Sequence, residues 1–278
     1  MRQWIGSVLF TMFLFVSVPI YAPIVLLTGP FPRRIAYRAV LYWVDAQLFM
    51  LEKLCGLRYE IEGLEHLPSE PSIVLMKHSS AWETLAQLRL FPRQTWVLKR
   101  ELMWVPFFGW ALMLLKPIAI DRSGGRAAVE QVIQQGRARL DEGLWVVIFP
   151  EGTRVPFGQT GRFGMSGALL AAAAGKPIVP VAHDAGRYWP RRGWLKQRGT
   201  IRVRVGAPIP TLGRDPREVT AEVRAWIERA VDEITGGSPA PRADGVAVDS
   251  PEGQSSGQTS RLETESALRS MKSRRGST

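Results

Sequence analysis

The feature that most limits what this chain can fold into is an uncharged run near its start, since no Asp, Glu, Lys or Arg occurs from Gln3 to Pro32. Within it, Trp4 to Gly29 is predominantly apolar, and roughly 20 such residues are enough to cross a hydrocarbon core as a helix. Membrane attachment follows. A cleaved signal peptide fits poorly, because the run is long and its one small-residue candidate, Ala22, precedes Pro23, which blocks cleavage. Pro19 and Pro23 predict a kink, and the sequence leaves open both a spanning helix and one that dips into a single leaflet. Arg33, Arg34 and Arg38 follow the run while only Arg2 precedes it. That bias predicts an inner (cytoplasmic) membrane location with the bulk of the chain on the cytoplasmic side. Residues 35–57 carry Tyr42, Trp43 and Phe49 among Arg38, Asp45, Glu52 and Lys53, the pattern of an interfacial helix.

Between Tyr59 and Gly206 short β-branched runs at 72–76, 145–149, 178–181 and 200–205 alternate with helical stretches. This predicts an α/β fold with a mixed sheet flanked by helices. Arg122-Ser123-Gly124-Gly125 is read as opening an amphipathic helix to about Asp141. Asp215 as N-cap, Pro216 in the first helical position and Glu218 as reciprocal cap predict a helix from Pro216 to about Thr235. Beyond Gly236-Gly237 the composition turns to Ser, Gly, Thr, Pro and Gln without an aromatic residue, which predicts disorder. Three parts result: membrane-anchoring helices over 1–57, an α/β domain over 58–237 and a disordered polar tail over 238–278. The 278 residues carry a net charge of +11, which favours phosphate, anionic lipid or nucleic acid as a partner without choosing among them. One cysteine, Cys55, and three histidines exclude an intrachain disulfide framework and a Cys/His zinc cluster.

Two segments offer chemistry. Lys77-His78-Ser79-Ser80-Ala81-Trp82-Glu83 sits where an apolar strand gives way to a helix. Residues five apart on one helix point about 140° away from each other. His78 and Glu83 therefore pair only if His78 lies in the turn and Glu83 reaches back from the first helical turn. The carboxylate would then fix the imidazole tautomer and stabilise the imidazolium. Phe149-Pro150-Glu151-Gly152-Thr153-Arg154 follows another apolar strand, at the edge where α/β proteins place their sites. There Gly152 allows close backbone approach and Arg154 offers a fork that fits phosphate.

Taken in order, the His-x4-acid element resembles the first motif of the membrane-bound 1-acylglycerol-3-phosphate acyltransferases. Lys99-Arg100-Glu101-Leu102 to Pro106 and Gly109, Ile120-Asp121-Arg122, Phe149 to Arg154, and Pro177 to Val181 resemble the later ones. The resemblance implies that His78 is the general base on the acceptor hydroxyl and that Glu83 orients it. It further implies that Glu151, Gly152, Thr153 and Arg154 hold the acceptor's glycerol phosphate, with Arg122 and Lys99 adding positive charge. No cofactor or metal is implied. The acyl donor would be acyl-CoA or acyl-carrier protein, the acceptor a lysophospholipid, and the surrounding partner the membrane lipid bilayer. The sequence departs from the family pattern in three places: Glu83 stands where aspartate is usual, Gly164 stands after Phe163 where lysine is frequent, and the tail has no counterpart. A phosphate-free acceptor such as lyso-ornithine lipid is the rival substrate.

Leu102 to Leu115 carries no charge and is read both as core and as a greasy wall for the acyl chain. His66 is expected at a surface turn and His183 as a satisfied structural histidine. Gly164-Met165-Ser166-Gly167-Ala168 only approaches a nucleophile elbow, since alanine stands in the fifth position and no strand precedes Ser166. Ser79 and Ser80 suit helix capping, so no covalent nucleophile is indicated and sequential kinetics are expected. The basic and aromatic stretch from Arg187 to Lys196 is assigned to the lipid headgroup layer, with no nucleic-acid partner.

Overall fold

The apolar run forms one continuous helix, α1 (Arg2–Leu27), with Pro19 and Pro23 inside it, and α2 (Arg33–Cys55) returns antiparallel along it. In this computed structural model the described residues are 1–236, so the tail expected over 238–278 lies outside them. Gly6 allows the two helices to touch, because a Cβ there would overlap the Leu54 carbonyl oxygen. Further along, Trp43 Nε1 and Gln47 Nε2 both donate to Ser17 Oγ, at 3.0 and 2.9 Å.

The strands are β1 (Leu57–Glu62), β2 (Ile73–Met76), β3 (Gln94–Lys99), β4 (Ile118–Ile120), β5 (Trp145–Ile148), β6 (Ile178–His183) and β7 (Gly199–Val205). They form one sheet in the order β1-β7-β6-β2-β5-β3-β4. Every neighbouring pair is parallel except β6 with β7, so the sheet is mixed, as expected. The four runs legible in the sequence are β2, β5, β6 and β7, whereas β1, β3 and β4 were not foreseen. The remaining helices are α3 (Trp82–Leu90), α4 (Phe108–Met113), α5 (Arg126–Asp141), α6 (Ser166–Ala174), α7 (Ala185–Tyr188) and α8 (Pro216–Thr235).

Side chains alternate between the two sheet faces, and each face has its own core. Ile73, Leu75, Val146 and Ile148 meet α5, α6 and α8 through Val132, Leu170 and Ile227. Val74, Met76, Trp145 and Val147 share the other core with Trp82 and Ala86 of α3, Leu51 and Cys55 of α2, and Phe10 of α1. Buried residues of α1 and α2 help complete a sheet core, and both helices fall within one compact unit with the α/β part. Fully burying a side chain such as Leu51 or Phe10 stabilises by about 1.5–3 kcal/mol, which ties both helices to the sheet.

Both ends of α1 are held by this unit. At its start Gln3 Nε2 donates to the Cys55 carbonyl at 2.9 Å, and Ser7 Oγ accepts from the Lys196 amide at 2.9 Å. At its end Ala22 and Val25 pack on Ala111 of α4. Its outer side leaves Trp4, Leu9, Met12, Phe15 and Ile20 exposed.

Two expected helix starts differ in detail. Asp215 caps α8 by accepting from the Arg217 amide at 2.8 Å, but Glu218 makes no return bond. α5 begins at Arg126 rather than at Arg122. Asp121 Oδ1 accepts from the Ser123 amide at 3.0 Å and also from its hydroxyl, which turns the chain before the helix and leaves Arg122 in the loop.

Candidate active site

The parallel strands deliver their carboxyl ends to one edge, where α/β folds place ligands. β2 leads to His78, β3 ends at Lys99, β4 leads to Arg122 and β5 leads to the 149–154 turn. His78 lies in the turn between β2 and α3, and Glu83 lies in the first turn of α3. His78 Nδ1 is 3.0 Å from Glu83 Oε1. The same oxygen accepts from the amides of Ser79 and Ser80 at 2.8 and 2.7 Å, and Ser80 Oγ in turn accepts from the Trp82 amide. With Nδ1–H donated to the carboxylate, His78 Nε2 carries the free lone pair. The imidazole also stacks on Phe149, with ring centroids 4.3 Å apart.

Burial pushes the Glu83 carboxyl up, but the His78 bond, the two imidazoles and the Ser80 amide outweigh it and hold it below the ordinary glutamate range. Among the described residues Glu83 Oε2 has no hydrogen-bond partner, and it lies 3.9 Å from His183 Nε2. His183 Nε2 donates to the Lys77 carbonyl at 2.8 Å, while its Nδ1 accepts from the Ala185 amide at 3.2 Å. Both nitrogens are thus used by the backbone, in keeping with a structural role. His66 sits in the exposed turn after β1, with Nδ1 3.0 Å from the Val205 carbonyl.

The 149–154 segment turns tightly, with the Gly152 amide donating to the Phe149 carbonyl at 3.0 Å. Gly152 has φ +67°, a conformation open to glycine and costly to residues with a Cβ. The Val155 amide donates to the His78 carbonyl at 2.8 Å, so this turn and the histidine turn are one rigid edge. Glu151 faces Lys77. Its Oε1 is 2.9 Å from Lys77 Nζ, with the carboxylate fully buried and the lysine side chain 10% exposed. The reason is electrostatic, since a buried carboxylate needs a cation beside it and would repel a phosphate.

A cleft of 590 Å³ joins these parts, and His78, Thr153, Arg154, Arg122 and Lys99 all line it. Glu151 and Gly152 do not line it. Away from the histidine its walls are apolar: Val18 and Val25 of α1, Val40 of α2, Leu88 of α3 and Ala111 of α4. Within Leu102 to Leu115, Ala111 and Leu115 are buried and line the cleft, whereas Trp104, Phe107 and Met113 are exposed and do not line it. Burial lowers the pKa of the Arg122 guanidinium, nearby Glu101 opposes that shift, and Arg154 adds to it. Lys99 is partnered by Glu101 at 3.1 Å, and Asp121 by Arg100 at 3.2 Å. The sequence reading missed Lys77 as the partner of Glu151 and missed Arg191 as a cleft residue. Neither pairing has a sequence signal, because each depends on segments far apart in the chain. Among the described residues no cluster of His, Cys, Asp or Glu could hold a metal ion.

A buried imidazole–carboxylate pair beside a largely apolar cleft that arginines also line suits proton abstraction from a lipid hydroxyl, and similarity to known proteins bears on what such a chain does. The family model described as Acyltransferase matches residues 58–184. A 1-acyl-sn-glycerol-3-phosphate acyltransferase of Pseudomonas aeruginosa is 44% identical over 238 residues, covering 84% of this chain and 93% of that protein. The human 1-acyl-sn-glycerol-3-phosphate acyltransferase alpha is 32% identical over 177 residues, covering 63% of this chain and 62% of that one. In fold, the chain matches the crystal structure of the 1-acyl-sn-glycerophosphate acyltransferase of Thermotoga maritima. That match has a TM-score of 0.69 at 22% identity and covers 84% of this chain and 96% of the other. The chain belongs to the 1-acyl-sn-glycerol-3-phosphate acyltransferase family.

Proposed function

We propose that this chain transfers a fatty acyl group from an acyl thioester to the free hydroxyl of lysophosphatidate, forming phosphatidate. The observation that carries this reading is His78, with Nδ1 bound to Glu83 and the ring lining a cleft that Arg122 and Arg154 also line. His78 Nε2 takes the hydroxyl proton as the oxygen attacks the thioester carbonyl. The tetrahedral oxyanion collapses, the C–S bond breaks, and the leaving sulfur takes the proton back from the imidazolium. Glu83 holds the ring and stabilises its cationic form. The Ser79 and Ser80 amides are committed to Glu83, so the oxyanion draws its donors from elsewhere. Thr153 and Arg154 bind the acceptor's headgroup with Arg122, and Lys99 adds charge at the rim. The apolar walls take hydrocarbon. The reaction needs no cofactor, and the donor is acyl-CoA or acyl-carrier protein.

The membrane reading follows the same geometry. A helix fastened at both ends to one catalytic unit, with an exposed apolar side between, is suited to lie in one leaflet rather than to cross. Arg33, Arg34 and Arg38 favour the cytoplasmic leaflet of the inner membrane.

Membranes containing the intact protein are offered lysophosphatidate or lyso-ornithine lipid with a long-chain acyl thioester, beside a His78→Ala control. Transfer to lysophosphatidate that the control lacks supports the assignment. Transfer to the phosphate-free acceptor alone overturns the acceptor and keeps the mechanism.

A further inference from the structure

We infer that Arg191 is a further phosphate-binding residue, completing with Arg122 and Arg154 a cradle of three guanidinium groups for the acceptor's phosphate monoester. This rests on the reading of the acceptor as lysophosphatidate. Arg191 lies outside the motifs, but the fold brings it to the site. Pro190 forms an antiparallel β-bridge with Ser80, two residues after His78, and Arg191 follows directly. Arg191 Nη1 donates to the Arg154 carbonyl at 3.1 Å. Its side chain lines the same cleft as His78, Thr153 and Arg154. A guanidinium carries five N–H donors in a fixed fork, so this one bond orients the group and leaves the rest for a ligand.

Charge compensation separates these arginines from the other cations of this edge. Lys77, Lys99 and Arg100 each have a carboxylate within 4.0 Å. Arg122, Arg154 and Arg191 have none among the described residues. Like charges lining one cleft repel unless an anion joins them, and Glu101, the acid that favours the Arg122 charge, is itself paired with Lys99. A phosphate monoester carries a charge of about −1.5 to −2 near neutral pH, with three acceptor oxygens. It therefore matches several guanidinium groups better than a singly charged phosphodiester does.

The test compares steady-state constants for R191A, R191K and R191Q with the intact enzyme, varying lysophosphatidate and the acyl donor separately. Loss of a hydrogen bond to a charged group, about 1.5–3 kcal/mol, corresponds to a rise of roughly 10- to 100-fold in KM for lysophosphatidate in R191A. The donor KM is expected to stay within about twofold, since the donor's contacts are untouched. R191K, which keeps the charge, recovers part of the loss. R191Q, which keeps an N–H for the Arg154 carbonyl but drops the charge, behaves like R191A. A wild-type KM in R191Q would reduce Arg191 to a tether for Arg154 and overturn the inference, as would an unchanged KM in R191A. A rise confined to the donor KM would assign the contact to the donor's phosphate and overturn it as well. Wild-type enzyme inactive on lysophosphatidate would instead remove the acceptor assignment itself, a result distinct from every Arg191 outcome.

Discussion

Glu83 Oε1 lies 3.0 Å from His78 Nδ1 and within 2.8 Å of two backbone amides, so one oxygen fixes both the ring and the loop that carries it. Glu83→Gln keeps the size of the side chain and removes the charge that stabilises the imidazolium. General-base assistance contributes typically 10²- to 10⁴-fold. Turnover in His78→Ala is expected to fall by about that factor, with the far-ultraviolet circular dichroism unchanged. Glu83→Gln is expected to lower kcat by at least about tenfold while the lysophosphatidate KM holds, because the group does not touch the headgroup. A Glu83→Gln enzyme with wild-type kcat would show that the ring needs no anion.

Acid stability carries the signature of the same carboxylate. Its pKa is lowered in the folded protein, burial opposing the shift and the His78 bond leading the groups that outweigh it. A depressed folded-state pKa means that the stabilisation is complete above the unfolded value of about 4.3 and is lost as pH falls through the lower folded value. Urea unfolding of the wild type is therefore expected to lose midpoint as pH falls below about 4.3. Glu83→Gln, starting lower, should lose less over that range. Parallel pH dependences in the two proteins would remove Glu83 from the acid transition.

Lys77 and Glu151 make a buried pair whose separate loss should be worse than joint loss. Glu151 is fully buried and Lys77 nearly so, at 2.9 Å, so solvent screens the pair little. Removing one partner of a buried pair typically costs about 3–5 kcal/mol, whereas replacing both with apolar groups is often neutral. Lys77→Met and Glu151→Leu are each expected to lower the unfolding free energy by that order, and the double variant to recover much of it. Thermal or denaturant unfolding around the double-mutant cycle measures the coupling. Additive losses would show that the ion pair contributes no mutual stabilisation.

The legible parts of the sequence were those whose physics is local. The central strands β2, β5 and β6 are buried on both faces and read as unbroken apolar runs. β1 and β4 are the sheet edges. β1 alternates Arg58, Glu60 and Glu62 with apolar residues, and β4 has only three residues, so neither stands out as an apolar run. β3 carries Gln94 and Lys99 at its ends. The His78–Glu83 pairing was legible because five residues and one turn decide it. The partners of Glu151 and Arg154, by contrast, depend on where chain segments 74 and 37 residues apart meet. Burial also decides one pairing, since Glu151, an acid in a substrate motif, is matched inside the fold by Lys77. The long apolar helix signalled a membrane, but its fastening to the catalytic unit through Gln3, Ser7, Ala22 and Val25 had no sequence signal.

That double anchoring makes the acyl cleft sensitive to a glycine remote from the chemistry. A Cβ at Gly6 would overlap the Leu54 carbonyl oxygen, and backbone cannot yield by changing rotamer, so Gly6→Ala must move α1 relative to α2. Overpacking of this kind costs about 1–3 kcal/mol. The same helix contributes Val18, Tyr21, Ala22 and Val25 to the cleft wall, whereas His78 and Glu83 sit on β2 and α3 edges that α1 does not build. Gly6→Ala is therefore expected to lower the melting temperature and to alter the preference among acyl donors of different chain length. Transfer from short-chain donors should suffer least, since they have least contact with the displaced wall. Val8→Ala, an exposed position on the same helix, is expected to leave the chain-length profile as in the wild type. Competition assays with mixed-length donors read this directly. An unaltered profile in a destabilised Gly6→Ala enzyme would mean that the α1 wall does not touch the acyl chain.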